Sequence, residues 1–174
     1  VGGGILYWDS ARAKTGHNGA TIFSPTVPYS ATTANYLNAA GETDGAGAGC
    51  WVRISQGITN LTWFGTKGDG ATDDRLSIFA AMDYVSSFSG TLFCPIGDYR
   101  VTAGYTNSSA YNDIRILGEG VNRENLKTPQ VGTTFTLDST NPGAFFYKQA
   151  SRHFLQVENV IFRCAQYAGN RRFF

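Results

Sequence analysis

The sequence predicts a mainly β fold: a small strand-and-loop module, then parallel strands stacked as a solenoid whose open end a helix closes. The stretch from Trp63 to Val101 is the first observation behind this. Trp63-Phe64-Gly65-Thr66-Lys67-Gly68-Asp69-Gly70-Ala71-Thr72-Asp73-Asp74 reads as a tight turn, and a helix-like run follows to Val85. Gly90-Thr91-Leu92-Phe93-Cys94-Pro95 and Gly97-Asp98-Tyr99-Arg100-Val101 then read as strand. The second observation is that comparable strand candidates recur at intervals of roughly 20 residues, which suits a solenoid in which each turn buries its inner face on the next. Composition is the third. Charged residues are 16%, aromatics 14%, and there are 21 glycines, a balance that favours strands and tight turns over a helical bundle.

Residues 1–60 read as a separate module. Ile5-Leu6-Tyr7-Trp8 is a short apolar strand ended by Asp9-Ser10, and Thr21-Ile22-Phe23 is a second ended by Ser24-Pro25. Residues 31–40 are weakly helical, with Tyr36, Leu37 and Ala40 on one side, and the Gly/Ala loop 41–49 leads into a strand at Cys50-Trp51-Val52-Arg53-Ile54. Trp8 and Trp51 are expected as core anchors. So thin a core is expected to dock on its neighbour or on copies of itself.

Residues 61–174 carry the solenoid. Asp69-Gly70 supplies a positive-φ turn position. Thr72 is expected to cap a helix, with Asp73 and Asp74 in its first turn. Ile78, Ala81, Met82 and Val85 fall at i, i+3, i+4 and i+7 on one face, and Gly90 is the expected stop. Strands are expected at 91–94, 99–102, 114–117, 133–137, 145–148 and 155–163, with corners at Gly118-Glu119-Gly120 and 138–143.

A net charge of +1 leaves no electrostatic footprint for nucleic acid or an anionic membrane, and the apolar runs are too short to span a bilayer. Cys50, Cys94 and Cys164 are odd in number and widely spaced, so they read as reduced, buried thiols. Position 1 is Val and the single Met is Met82; processing, or excision from something longer, is expected. A solenoid that ends raw is expected to be poorly soluble or held in an oligomer.

Residues 63–101 resemble the opening of the pectate-lyase-like right-handed parallel β-helix superfamily. With the upstream Gly2-Gly3-Gly4-Ile5-Leu6-Tyr7-Trp8-Asp9-Ser10-Ala11-Arg12-Ala13-Lys14, His17-Asn18-Gly19, Gly41-Glu42-Thr43-Asp44 and Gly49-Cys50-Trp51-Val52-Arg53, the chain resembles the N-terminal part of bacteriophage tailspike proteins. The resemblance implies a homotrimer joined to other tail or baseplate proteins at its N-terminal side. It also implies a virion component assembled in the host bacterial cytoplasm. The parent's β-helix would grip and often cleave capsular or O-antigen polysaccharide. The family's members are several times longer, so most of the sugar groove is expected beyond Phe174. The rival reading is a fragment of a secreted pectinase-like or glucanase-like enzyme.

No catalytic residue is assigned. Glycoside hydrolysis needs two carboxyl groups about 5–9.5 Å apart, and Asp98, Asp113, Glu119, Asp138 and Glu158 form no such pair in sequence. Asp98 and Glu119 read as turn and corner residues, and Glu158 as the best exposed acid on a solenoid face. Asp69, Asp73 and Asp74 lack a calcium-loop spacing, and His17 and His153 lack a second ligand at metal spacing. Gly45-Ala46-Gly47-Ala48-Gly49 lacks the Lys-Ser/Thr of a phosphate loop. No metal or cofactor is therefore expected. By side-chain type, Trp63, Tyr99, Tyr105, Tyr111, Phe145, Tyr147 and Arg152 are candidates for touching glycan.

Overall fold

The computed structural model describes residues 3–29, 32–107, 113–120, 132–138, 146–148 and 155–164. Residues 6–53 build an antiparallel sheet in the order β1-β3-β2, from β1 (Leu6–Ala13), β2 (Ile22–Phe23) and β3 (Ala48–Arg53). β1 runs past Asp9-Ser10, where the sequence suggested it would end. The Asp9 carboxylate accepts the Ala11 amide at 3.0 Å, and the register shifts between Asp9 and Ala13. A bulge thus absorbs the polar pair, and the strand continues.

Trp8 and Trp51 are not core anchors. They are directly paired across β1 and β3, so both rings lie on one face and meet edge-on at 5.3 Å. They stay 46% and 45% exposed, because this end of the sheet is a single layer. Gly49 (φ +102°) admits the Trp8 ring, which would lie 2.6 Å from a Cβ there. Helix α1 (Thr33–Leu37) buries Leu37, but Ala40 is exposed. Ala39 takes φ +55° and turns the chain off the helical path before Ala40.

The remaining strands are β4 (Ile58–Asn60), β5 (Asp69–Asp73), β6 (Thr91–Cys94), β7 (Gly97–Val101), β8 (Tyr105–Asn107), β9 (Ile114–Gly118), β10 (Thr133–Leu137), β11 (Phe146–Lys148), β12 (Leu155–Glu158) and β13 (Val160–Cys164). They form three parallel sheets, β4-β6-β9-β12, β5-β7-β10-β13 and β8-β11. The chain visits these sheets in rotation, so each pass lays one strand on the strand before it. The expected run 155–163 is two strands. Asn159, at φ +55°, breaks it, and Asn tolerates that left-handed corner better than most residues. Val157 and Val160 both pack on the core, so the alternation slips by one at the corner.

Residues 69–73 are strand, and the helix α2 (Arg75–Ser86) begins three residues after Thr72. Thr72 is already engaged. Asp69 accepts the amides of Ala71 at 2.9 Å and Thr72 at 2.7 Å and the Thr72 hydroxyl at 2.8 Å. Asp74 stands at the helix N-cap without capping it. Its buried carboxylate turns back to the amides of Lys67 at 2.7 Å and Gly68 at 2.9 Å. Gly70 holds φ +72°, as the Asp-Gly turn predicted, and Gly68 also takes a positive φ, +61°.

The helix buries the expected face, Ile78, Ala81, Met82 and Val85, in one cluster with Leu92, Ile116 and Leu137. The left-handed position after it belongs to Ser89 (φ +56°), while the Gly90 amide closes back onto the Val85 carbonyl at 2.8 Å. Beneath it, Tyr99, Phe135 and Phe162 stack in register on β7, β10 and β13, with centroids 5.4 and 6.0 Å apart. Ala20 and Leu37 of the first module join the same cluster. All three cysteines are free; Cys50 and Cys94 are buried and Cys164 is partly so. Burial pushes the Cys94 thiol well above its ordinary range.

Candidate functional site

Strand alternation decides what each parallel sheet shows to solvent. On β7, Tyr99 and Val101 point into the core, so Asp98 and Arg100 point out. On β10, Thr134 and Thr136 share that outer face as the register partners of Asp98 and Arg100, but both are buried. On β13, Arg163 joins them beside Thr136. The result is a polar face of interleaved acids, guanidinium groups and hydroxyls across three passes of the chain.

These groups are held by one another. Asp98 accepts the Thr136 hydroxyl at 2.6 Å and lies 3.5 Å from Arg163. Arg100 donates through Nε to Asp138 at 2.8 Å, approaches it again at 2.7 Å through its other nitrogen, and reaches the Ala71 carbonyl at 3.1 Å. Asp73 accepts the Thr102 hydroxyl at 2.7 Å. On the neighbouring sheet, Arg115 of β9 grips Glu158 of β12 with two bonds of 3.0 Å. That pairing holds the Glu158 carboxyl below its usual range. Such fixed planar groups suit hydrogen bonding to sugar hydroxyls. Glu158, so lowered, does not suit proton donation, which needs a carboxyl raised towards neutral pH.

Asp98 is therefore a strand residue rather than a turn residue. Glu119 is a corner residue, as expected, and its carboxylate accepts the Ile96 amide at 3.0 Å. Asp113 is exposed just before β9. Among the described acids of residues 61–174, Asp74 is the one whose carboxyl is raised: burial pushes it up more than the two amides hold it down. It is 2% exposed, so it serves the turn rather than a substrate. His17 is structural too, donating to the Tyr36 carbonyl at 2.8 Å and accepting the Ser24 amide at 3.0 Å, and burial lowers its pKa.

Among the aromatic candidates, Tyr99 is core, and its hydroxyl donates to the Pro95 carbonyl at 3.0 Å. Trp63 is half-buried under Arg53, whose guanidinium lies 4.7 Å from the Trp63 ring centroid and 5.6 Å from that of Phe23. Tyr111, Phe145, Arg152 and His153 lie outside the described residues, as do the side chains of Tyr105 and Tyr147. The sequence reading missed Arg100, Arg115, Thr136 and Arg163. Arg100 follows Asp98 by two residues, so strand alternation already placed both on one face.

Residues 58–172 match the family model described as rhamnogalacturonase A/epimerase, pectate lyase-like. The chain belongs to this family. Alginate lyase 7 of Azotobacter vinelandii is 37% identical over 73 residues, 39% of this chain and 8% of that protein. Mannuronan C5-epimerase AlgE4 of the same organism is 49% identical over 45 residues, 25% of this chain and 8% of that protein. In fold, the chain is similar to the tailspike protein gp49 of Acinetobacter baumannii bacteriophage Fri1, a capsular polysaccharide depolymerase. The TM-score is 0.55 at 14% identity, over 95% of this chain and 28% of that one. The chain thus spans less than a tenth of these curated relatives. The resemblance read from residues 63–101 and their upstream segments holds, for the superfamily and for the tailspike fold. The chain is part of a carbohydrate-active family, and among the described residues no helix is long and apolar enough to cross a membrane.

Proposed function

We propose that this chain is the N-terminal part of a phage tailspike. Residues 1–60 are the module facing the particle, and residues 61–174 are the helix-capped start of a right-handed parallel β-helix. The working assembly is a homotrimer attached to tail or baseplate proteins, and its longer β-helix binds and degrades a capsular or O-antigen polysaccharide. One observation supports this most: an antiparallel module passes directly into parallel sheets and is bolted to them. Arg53, held within the module by the Ala20 and Gly3 carbonyls, both at 2.8 Å, lays its guanidinium over Trp63 at the solenoid's start, and Ala20 and Leu37 join the core of the parallel sheets. Within these residues the job is structural, since the outward acids Asp98 and Glu158 are both committed to partners.

The matches to alginate-acting enzymes favour a second reading, a carbohydrate-active enzyme fragment of cellular origin, secreted like the pectinases and glucanases. One experiment addresses both. The 174-residue chain and its full-length parent are incubated separately with capsular, O-antigen and alginate polysaccharides, reading reducing ends and the absorbance of unsaturated uronic products. Cleavage of capsule or O-antigen by the parent alone is the expected result. Cleavage by the 174-residue chain overturns the structural role, and cleavage of alginate alone favours the second reading.

A further inference from the structure

His17 joins three parts of the N-terminal module. It follows the 3-10 turn Lys14–Gly16 that leaves β1, and it is buried. Its Nδ1 accepts the amide of Ser24, just past β2, at 3.0 Å, and its Nε2 lies 2.8 Å from the Tyr36 carbonyl in α1. An amide only donates and a carbonyl only accepts. The two partners therefore fix the ring in one form: neutral, with its proton on Nε2.

A second proton has one place to go, Nδ1, where it points at the Ser24 N–H. Ser24 is 4% exposed, so water does not readily replace the lost acceptor. That bond holds one end of the segment 24–42. Within the segment, the Ser24 hydroxyl meets the Thr26 hydroxyl at 2.9 Å, and Thr26 donates to Glu42. The segment also covers the start of the solenoid. Its helix α1 lies against α2, and Leu37 joins the core of the parallel sheets. Thr33 Cγ2 would lie 3.4 Å from a Cβ at Gly65.

The elements packed around the ring oppose one another. The Tyr36 ring of α1 meets it edge-on at 5.1 Å, and burial disfavours the imidazolium. Glu42 and the Tyr36 carbonyl favour it, less strongly. Lys14 of the preceding turn is paired with Asp44 at 2.6 Å. The net effect lowers the pKa of His17 from its ordinary 6.5. A released segment thus takes up the proton more readily than a docked one. The stabilisation is complete above pH 6.5 and is lost as pH falls through the folded value.

We infer that His17 is an acid-released latch: its neutral ring ties residues 24–42 to the module, and protonation at Nδ1 frees that segment, with α1, from the start of the solenoid. The latch does not depend on the tailspike reading, because every bond in it lies within this chain.

Amide hydrogen exchange of the 174-residue chain tests this, read by mass spectrometry at pH 7.5 and 5.0 and corrected for the intrinsic pH dependence of exchange. Protection of residues 24–42 is expected to fall about three- to tenfold between the two, the worth of one net hydrogen bond, with β7 and β10 losing less. His17→Asn keeps an acceptor near the Nδ1 position and does not titrate, so its segment is expected to stay protected at pH 5.0. Unchanged wild-type protection, a loss spread evenly over β7 and β10, or an equal loss in His17→Asn overturns the inference. If His17→Asn fails to fold, nitrogen NMR of the imidazole decides, the signal left in His153→Gln belonging to His17. A proton on Nε2 at pH 7.5, with a midpoint below 6.5 that tracks the loss of protection, is the expected result. A proton on Nδ1, or a midpoint at 6.5 or above, overturns the latch.

Discussion

Replacing Asp74 tests how the turn before α2 is held. Its carboxylate is 2% exposed and takes two backbone amides, Lys67 at 2.7 Å and Gly68 at 2.9 Å. Asp74→Ala leaves both donors without a partner. An orphaned buried donor costs about 1–3 kcal/mol, so two cost about 2–4 kcal/mol once the relief of a desolvated carboxylate is deducted. Asp74→Asn keeps one acceptor and should cost about half as much. The pH dependence separates this from generic damage. Burial raises the folded-state pKa of Asp74 above its unfolded value. The folded state therefore holds the proton more tightly, and the wild-type advantage is greatest at pH below the unfolded value. It declines as pH rises through the folded value. Urea denaturation of wild type and Asp74→Asn, followed by circular dichroism from pH 4 to 8, should show the gap narrowing as pH rises. A gap that widens with pH, or an Ala variant within about 0.5 kcal/mol of wild type, refutes the reasoning.

Phe135, 1% exposed between Tyr99 and Phe162, should cost about 3–5 kcal/mol on truncation to Ala, read as a lower urea midpoint. Arg53→Ala should cost about 3 kcal/mol, from two charge-assisted bonds and its packing on Trp63 and Phe23. It should also speed amide exchange in β2 and β3 before the parallel sheets. Glu42 is held at about 2 by the hydroxyls of Ser24 and Thr26 and the Asp44 amide. It therefore stabilises the fold above its unfolded value of 4.5, and that contribution is lost as pH falls towards 2. Glu42→Gln should flatten the acid side of the stability profile between those limits, and an unchanged acid limb would count against the network.

The helix face was legible because Ile78, Ala81, Met82 and Val85 repeat at a period only a helix has. The strands at 91–94 and 114–117 were legible because they alternate between short turn signals. β4, β5 and β8 were not, because each is three to five residues long and holds its place by pairing with a strand from another pass. Asp69-Gly70 fixed the turn, but the competition for Thr72 between capping a helix and answering Asp69 is settled by β5 pairing with β7. The aromatic residues misled for a related reason. Trp8 looked like core by size, yet a single-layer sheet end has nothing to cover it, whereas Phe135 gains burial only from neighbours one pass away. The same limit applied to the acids. Asp98 and Arg163 are 65 residues apart in the chain, and stacking alone makes them neighbours.

The central claim is that these residues begin a three-chain spike. Native mass spectrometry of the full-length protein that carries this chain tests it most directly. A mass of three copies is the predicted result, and a single-copy mass across the micromolar range contradicts it.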